Sequence, residues 1–117
     1  MTPIRFDPVP TQYSKAVVSG GTIYLAGLIA EDWDKDIAGQ AAEIFAQMDQ
    51  LLAGAGGDKS TLLSLTVYIA SFDDYAAFKE AYAAWIDHEN LPARATVRAD
   101  LLDPKLKIEI QATAAVY

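Results

Sequence analysis

From Leu106 to Val116 the chain alternates without a break. Leu106, Ile108, Ile110, Ala112, Ala114 and Val116 fall on one side, and Lys107, Glu109, Gln111 and Thr113 on the other. Side chains of a strand point to opposite faces with a period of two, so this run reads as a strand with one covered and one polar face. Arg94 to Ala99 alternates in the same way. Residues 62–70 (Leu62-Leu63-Ser64-Leu65-Thr66-Val67-Tyr68-Ile69) are apolar enough for a central strand. Earlier, Ala16-Val17-Val18 and Thr22-Ile23-Tyr24-Leu25 flank Gly20-Gly21, a pair that supplies the positive φ of a tight hairpin turn.

Two segments carry the helical period instead. In residues 36–55, Ile37, Ala41, Ile44, Phe45, Met48, Leu51, Leu52 and Ala55 form one stripe, with Gln40, Glu43, Gln47 and Gln50 outside it. Asp34 and Asp36 lie near the positive end of the helix dipole, and Gly54, Gly56 and Gly57 end it. Ser71, Asp73 and Asp74 offer caps for a second helix, reaching about His88, with Tyr75, Phe78, Tyr82, Trp85 and Ile86 on one stripe. The predicted order is ββ-α-β-α-ββ, with a further strand near Ile4–Phe6. It defines one α+β domain over residues 1–117, a mixed sheet with both helices on one face.

Composition narrows the chemistry. The chain has 117 residues, one His and no Cys, so a disulfide framework, thiolate catalysis, iron–sulfur clusters and a typical zinc site are excluded. Its net charge of −7 repels phosphate backbones, so nucleic acid is not an expected partner. No run reaches the ~20 apolar residues of a spanning helix, and the first residues lack a signal-peptide layout. The expectation is a soluble cytoplasmic protein with no membrane partner. The 52% hydrophobic content exceeds what a small monomer needs and points to an oligomer interface.

Pairing the last two strands as a hairpin places Val97 opposite Leu106 and Arg94 opposite Glu109. Arg94, Thr96 and Arg98 then share the non-helical face with Lys107, Glu109 and Gln111. Two readings follow: a solvated cross-strand ion pair, or a site where the Arg holds an anion and the Glu handles a water or proton. Asp32, Asp34, Asp36 and Glu43 have the spacing of a calcium loop, but Ile37 stands where its sharp turn needs Gly, so they read as a loop and helix start. His88 reads as a cation complementing a helix end, the glycines at 54–57 as a stop signal, and the aromatics at 75, 78, 82 and 85 as core.

Leu91-Pro92-Ala93-Arg94-Ala95-Thr96-Val97, followed by Lys107-Ile108-Glu109-Ile110-Gln111-Ala112, resembles the signature of the Rid family, the reactive-intermediate deaminases, also called the YjgF-type or endoribonuclease L-PSP family. The resemblance runs from about Tyr13 to Tyr117. It includes Tyr13-Ser14-Lys15-Ala16-Val17, Gly21 to Gly27, Gln40, Ala55-Gly56 and Phe72 to Trp85. It implies a fold like the small trimeric chorismate mutase, three sheets forming a central barrel with helices outside. The sites would lie in clefts between subunits of a homotrimer.

The implied activity is cofactor-free, metal-free hydrolysis of enamines and imines derived from amino acids to 2-oxo acids and ammonia. By the same resemblance Arg94 pairs with the substrate carboxylate, whose shape suits a guanidinium fork, and Glu109 orients the attacking water. Tyr13 reaches into the cleft, and Gly27 and Thr96 contact the ligand through their main chain. The chain departs from the family at Ala26 (often Ser or Thr), Leu28 (often Gln), Lys79 (often Asn) and Thr96 (Cys in the best-known branch). Ala26 and Leu28 would add apolar surface suited to a bulkier side chain than that of 2-aminoacrylate. A non-catalytic trimeric module binding small carboxylates is the second reading. A ribonuclease is the third, and the acidic charge disfavours it.

Overall fold

A computed structural model of the chain describes residues 2–117. Its strands are β1 (Ile4–Val9), β2 (Tyr13–Ser19), β3 (Thr22–Leu25), β4 (Leu62–Ile69), β5 (Ala93–Arg98) and β6 (Ile108–Ala115). Helix α1 spans Ile37–Ala55 and α2 spans Tyr75–Trp85, each preceded or followed by short 3-10 turns at Lys59–Thr61 and Phe72–Asp74. The strands form one sheet in the order β1-β2-β3-β6-β4-β5. All neighbours are antiparallel except β4 and β5. The α+β class, the mixed sheet and both helices on one face agree with the sequence reading.

Local chemistry accounts for the elements. Gly20 and Gly21 take φ of 59° and 80° and turn β2 into β3 with Ser19 opposite Thr22. Asp36 caps α1, its carboxylate accepting the Gly39 N–H at 2.9 Å. Ile44, Met48 and Leu52 on α1 are wholly buried against Ile23, Leu65, Val67, Ile108 and Ile110 of the sheet and Phe78 of α2. Each such side chain contributes roughly 1.5–3 kcal/mol by leaving water. Helix α2 begins at Tyr75 behind Asp74, one of the offered caps, although no side-chain bond from Asp74 caps it, and it ends sooner than the sequence suggests. Ser71 caps the 3-10 turn by accepting the Asp73 N–H, and the chain turns extended at Ile86. His88 then reaches back, its Nε2 lying 2.7 Å from the Ala83 carbonyl in the last turn of α2, consistent with the helix-end role.

Gln40 is a correction. Placed outside the apolar stripe by its polarity, it is 0% exposed. Its Nε2 donates to the carbonyls of Trp33, Lys35 and Lys105, and its Oε1 accepts the Lys107 N–H. A buried amide costs little once its hydrogen-bonding capacity is filled this way, and it ties α1 to the segment between β5 and β6.

The larger correction concerns the last two strands. They are not a hairpin: β4 lies between them. Strand β5 pairs parallel with β4, Arg94 beside Leu65 and Thr96 beside Val67, while β6 pairs antiparallel with β4, Glu109 beside Tyr68. The β4–α2–β5 segment is a crossover unit, and a helix between two strands favours a parallel pair. Leu65 and Val67 face the helices, so Arg94, Thr96 and Arg98 do too. Glu109, with Tyr68 and Val97, lies on the open face. Neither the cross-strand ion pair nor a two-residue site within one chain exists.

Candidate active site

Two separate clefts hold the expected site residues. The first, about 310 Å³, opens on the helix-free face and is lined by Tyr13, Ala26, Gly27, Ile29, Leu102 and Glu109. Glu109 is held by position: it lies opposite Tyr68 of β4 on one side, and the adjacent Ile110 bridges to Leu28 on the other. No hydrogen bond or ion pair engages its carboxylate among the described residues, so both oxygens can accept from a ligand. The carboxylate rests over Gly27, where a β-carbon would collide with Glu109 Oε2. Main-chain bonds fix the neighbours: Ala26 N–H to the Lys15 carbonyl at 2.9 Å, and Leu28 with Ile110 in a two-bond bridge. The Gly27 N–H enters none of these bonds and is available to a ligand.

Two glutamines brace the walls of this cleft. Gln47 Nε2 donates to the Ile29 carbonyl at 2.9 Å, and Gln40 holds both Lys105 and Lys107 beyond Leu102. Ile29 and Leu102 escaped the sequence reading. Leu102 is 84% exposed in the loop between β5 and β6, beside the half-buried Leu101, and no feature of the sequence separates the two. Leu28 is corrected in turn. It is buried in the core, so it lends the cleft no surface; of the departures noted for that strand end, only Ala26 lines it.

The second cleft, about 470 Å³, lies at the β5 edge on the helix side and is lined by Phe72, Tyr75, Arg94 and Thr96. Arg94 Nη2 donates to the Tyr75 hydroxyl at 3.1 Å. The guanidinium stands 4.7 Å from the centroid of Tyr82 and 5.6 Å from that of Phe78. Rings at these distances hold a cation by its attraction to their π faces. No carboxylate pairs with Arg94 among the described residues, leaving most of its five donors unused. The Thr96 hydroxyl is buried without a partner. Lys79 stands 5.2 Å from the Tyr75 ring, so a second cation lies behind the same aromatic. Burial of the Tyr82 hydroxyl raises its pKa, and the Arg94 charge opposes that rise. The aromatic stripe of α2, read as core, is thus also the cradle of Arg94.

A larger depression of about 560 Å³ beside the start of α1 is lined by Glu31, Asp32, Glu43 and glutamines. Its Glu43 carboxylate is occupied. Glu43 accepts the N–H groups of Glu31 and Asp32 and pairs with Lys35 at 2.6 Å, and that lysine, then the main-chain donors, hold its carboxyl below the usual range. This matches the reading of these acids as a loop and helix start. No helix among the described residues is long and apolar enough to cross a membrane.

A six-stranded mixed sheet with two helices on one face, an unpaired carboxylate on the other and an unpaired arginine at its edge is the architecture of a small-ligand α+β domain. The comparisons make the class specific. The family model described as Endoribonuclease L-PSP matches residues 6–116, and the chain belongs to this family, also known as YjgF or Rid. Across 99% of its length it is 38% identical to all of the RutC family protein YoaB of Escherichia coli. It is 32% identical over 108 residues to the 2-iminobutanoate/2-iminopropanoate deaminase of Rattus norvegicus, covering 87% of this chain and 78% of that one. A crystal structure of a YjgF family member from Neisseria meningitidis superposes with a TM-score of 0.95 at 36% identity, covering 100% of this chain and 97% of the other.

Proposed function

We propose that the chain is a cofactor-independent 2-imino acid hydrolase whose sites form between the subunits of a homotrimer. Arg94 of one chain and Glu109 of the next face the same substrate. The observation that carries this reading is the separation itself: an unpaired guanidinium and an unpaired carboxylate, on opposite faces of one sheet with β4 between them. Both are free to bind a ligand, and no single chain can bring them to the same one. The similarity to a named imine deaminase over most of the chain supports the chemistry.

In this mechanism the Arg94 fork takes the substrate carboxylate through two parallel hydrogen bonds, and Tyr75, Tyr82 and Phe78 hold the fork in place. The Gly27 N–H and Tyr13 contribute further contacts from the Glu109 side, and the Thr96 main chain from the Arg94 side. Glu109 accepts a proton from water as the water oxygen bonds to the imine carbon, and hands that proton to the imine nitrogen to give the neutral carbinolamine. The carbinolamine collapses when Glu109 takes its hydroxyl proton and passes it to the nitrogen. The C–N bond breaks, ammonia leaves and the C=O of the 2-oxo acid forms. The net charge of −7 argues against a polyanionic substrate such as RNA.

The test is ammonia release from 2-imino acids generated freshly in solution by an amino-acid oxidase. The protein should shorten imine lifetimes in proportion to its concentration, with activity surviving chelators. Glu109→Gln should lower kcat on the order of 100-fold or more while changing KM little. Unchanged imine lifetimes with and without protein would leave a carboxylate-binding module in its place.

A further inference from the structure

We propose that Gly27 is a positioning residue for Glu109: the space left by its missing side chain is the seat of the Glu109 carboxylate. This rests on the hydrolase reading and adds a residue whose role is steric. A β-carbon at position 27 would overlap Glu109 Oε2 and stand 3.2 Å from Glu109 Cδ. The φ of Gly27 is outside the left-handed region, unlike those of Gly20, Gly21 and Gly56, so its backbone would accept an ordinary L-residue. Space, and not backbone conformation, is what an alanine would change here.

The backbone cannot yield to relieve the overlap. Ala26 is bonded to the Lys15 carbonyl on one side, and on the other Leu28 and Ile110 exchange bonds of 2.8 and 3.1 Å. Ile110 follows Glu109 directly, so one bridge fixes the separation of both backbones. The relief must come from the Glu109 side chain, which no protein hydrogen bond holds in its present place. An alanine at position 27 therefore swings the carboxylate off its seat and away from the attacking water, while keeping its own N–H for the ligand. Near-attack geometry is sensitive to displacements of about 1 Å, enough to cost on the order of 100-fold in rate.

The experiment compares wild type, Gly27→Ala, Glu109→Gln, the double variant Gly27→Ala/Glu109→Gln, and Gly27→Ala/Glu109→Asp. Each is checked by sedimentation for an unchanged assembly. Gly27→Ala should lower kcat to within about tenfold of Glu109→Gln, with KM altered by less than about threefold, and the double variant should be no slower than Glu109→Gln alone. Shortening the acid makes room for the new methyl, so Gly27→Ala/Glu109→Asp should be faster than Gly27→Ala. A wild-type kcat in Gly27→Ala, a loss confined to KM, or losses that add in the double variant would overturn the proposal. A crystal structure of Gly27→Ala reads the same point without the reaction. An unmoved Glu109 carboxylate overturns the steric link, whereas wild-type protein that hydrolyses no imine overturns the hydrolase reading and not the link.

Discussion

Glu109 stands on β6, with hydrogen-bonded strands on both sides, whereas Arg94 stands on β5, the outermost strand, bonded only to β4. Around Glu109 the fold supplies a fixed main chain, a missing β-carbon and little else; no side chain among the described residues bonds the carboxylate. Around Arg94 it supplies side chains: the Tyr75 hydroxyl and the rings of Tyr82 and Phe78. The contrast has a physical basis. A central strand is located by its ladder, so a short carboxylate needs only room. An edge strand is fixed on one flank, and a long flexible arginine there loses considerable side-chain entropy unless its surroundings have already ordered it.

The largest effect should come from removing the charge that this packing prepares. Arg94→Ala should abolish most hydrolysis, by about 30-fold to several thousand-fold, corresponding to on the order of 2–5 kcal/mol for a charge-assisted contact in a shielded cleft. Arg94→Lys keeps the charge without the fork and should recover only part of the rate. Full activity in Arg94→Ala would place the carboxylate contact elsewhere.

A smaller effect sharpens the contrast between the halves. Tyr82→Leu removes a ring from the guanidinium, and Tyr75→Phe removes one hydroxyl. Losses of roughly 0.5–2 kcal/mol for the first and about 1 kcal/mol for the second predict KM raised by a few-fold to about 30-fold, and by about fivefold, respectively. Truncating Ile29 beside Glu109 should leave the acid's contribution to kcat in place, because no side chain there holds it. Equal sensitivity of both halves to such truncations, measured as kcat and KM separately, would break the comparison.

The smallest effect is confined to alkaline pH. Burial raises the Tyr82 pKa above its unfolded value, so the folded state favours the neutral phenol. The stability this contributes is complete below the unfolded pKa and is lost as pH rises through the folded one. Chemical denaturation should show wild type weakening more steeply than Tyr82→Phe above about pH 10, the ordinary phenol value. Parallel profiles would remove the linkage. Tyr82→Phe keeps the ring over Arg94, so hydrolysis near neutral pH should be unchanged.

The same contrast explains what could be read in the sequence. The alternation of Leu106 to Val116 placed Glu109 on the open face correctly, because one face of a well-buried strand leaves a period-two trace. The helix of residues 37–55 and the Gly20-Gly21 turn were legible for similar local reasons. The face of Arg94 was not. Ala93, Ala95 and Val97 look like the buried side of β5, yet they are exposed, and the short, charged strand is an edge. The apolar run of β4 was recognisable as central, but sequential pairing of β5 with β6 overrode the crossover that α2 implies. Gln40 and Leu102 were missed because a buried amide and an exposed leucine both run against polarity. Their partners lie far along the chain, Gln40 on Lys105 and Lys107.

Mixing two inactive chains tests most directly whether one site draws on two subunits. Arg94→Ala and Glu109→Gln, co-expressed with different tags and purified as mixed assemblies, each retain the residue the other lacks. If every site takes Arg94 from one subunit and Glu109 from its neighbour, each mixed trimer rebuilds one of its three sites, and the purified mixed assemblies should show about a third of wild-type hydrolysis. Mixed assemblies no more active than either variant alone would contradict a site shared between chains.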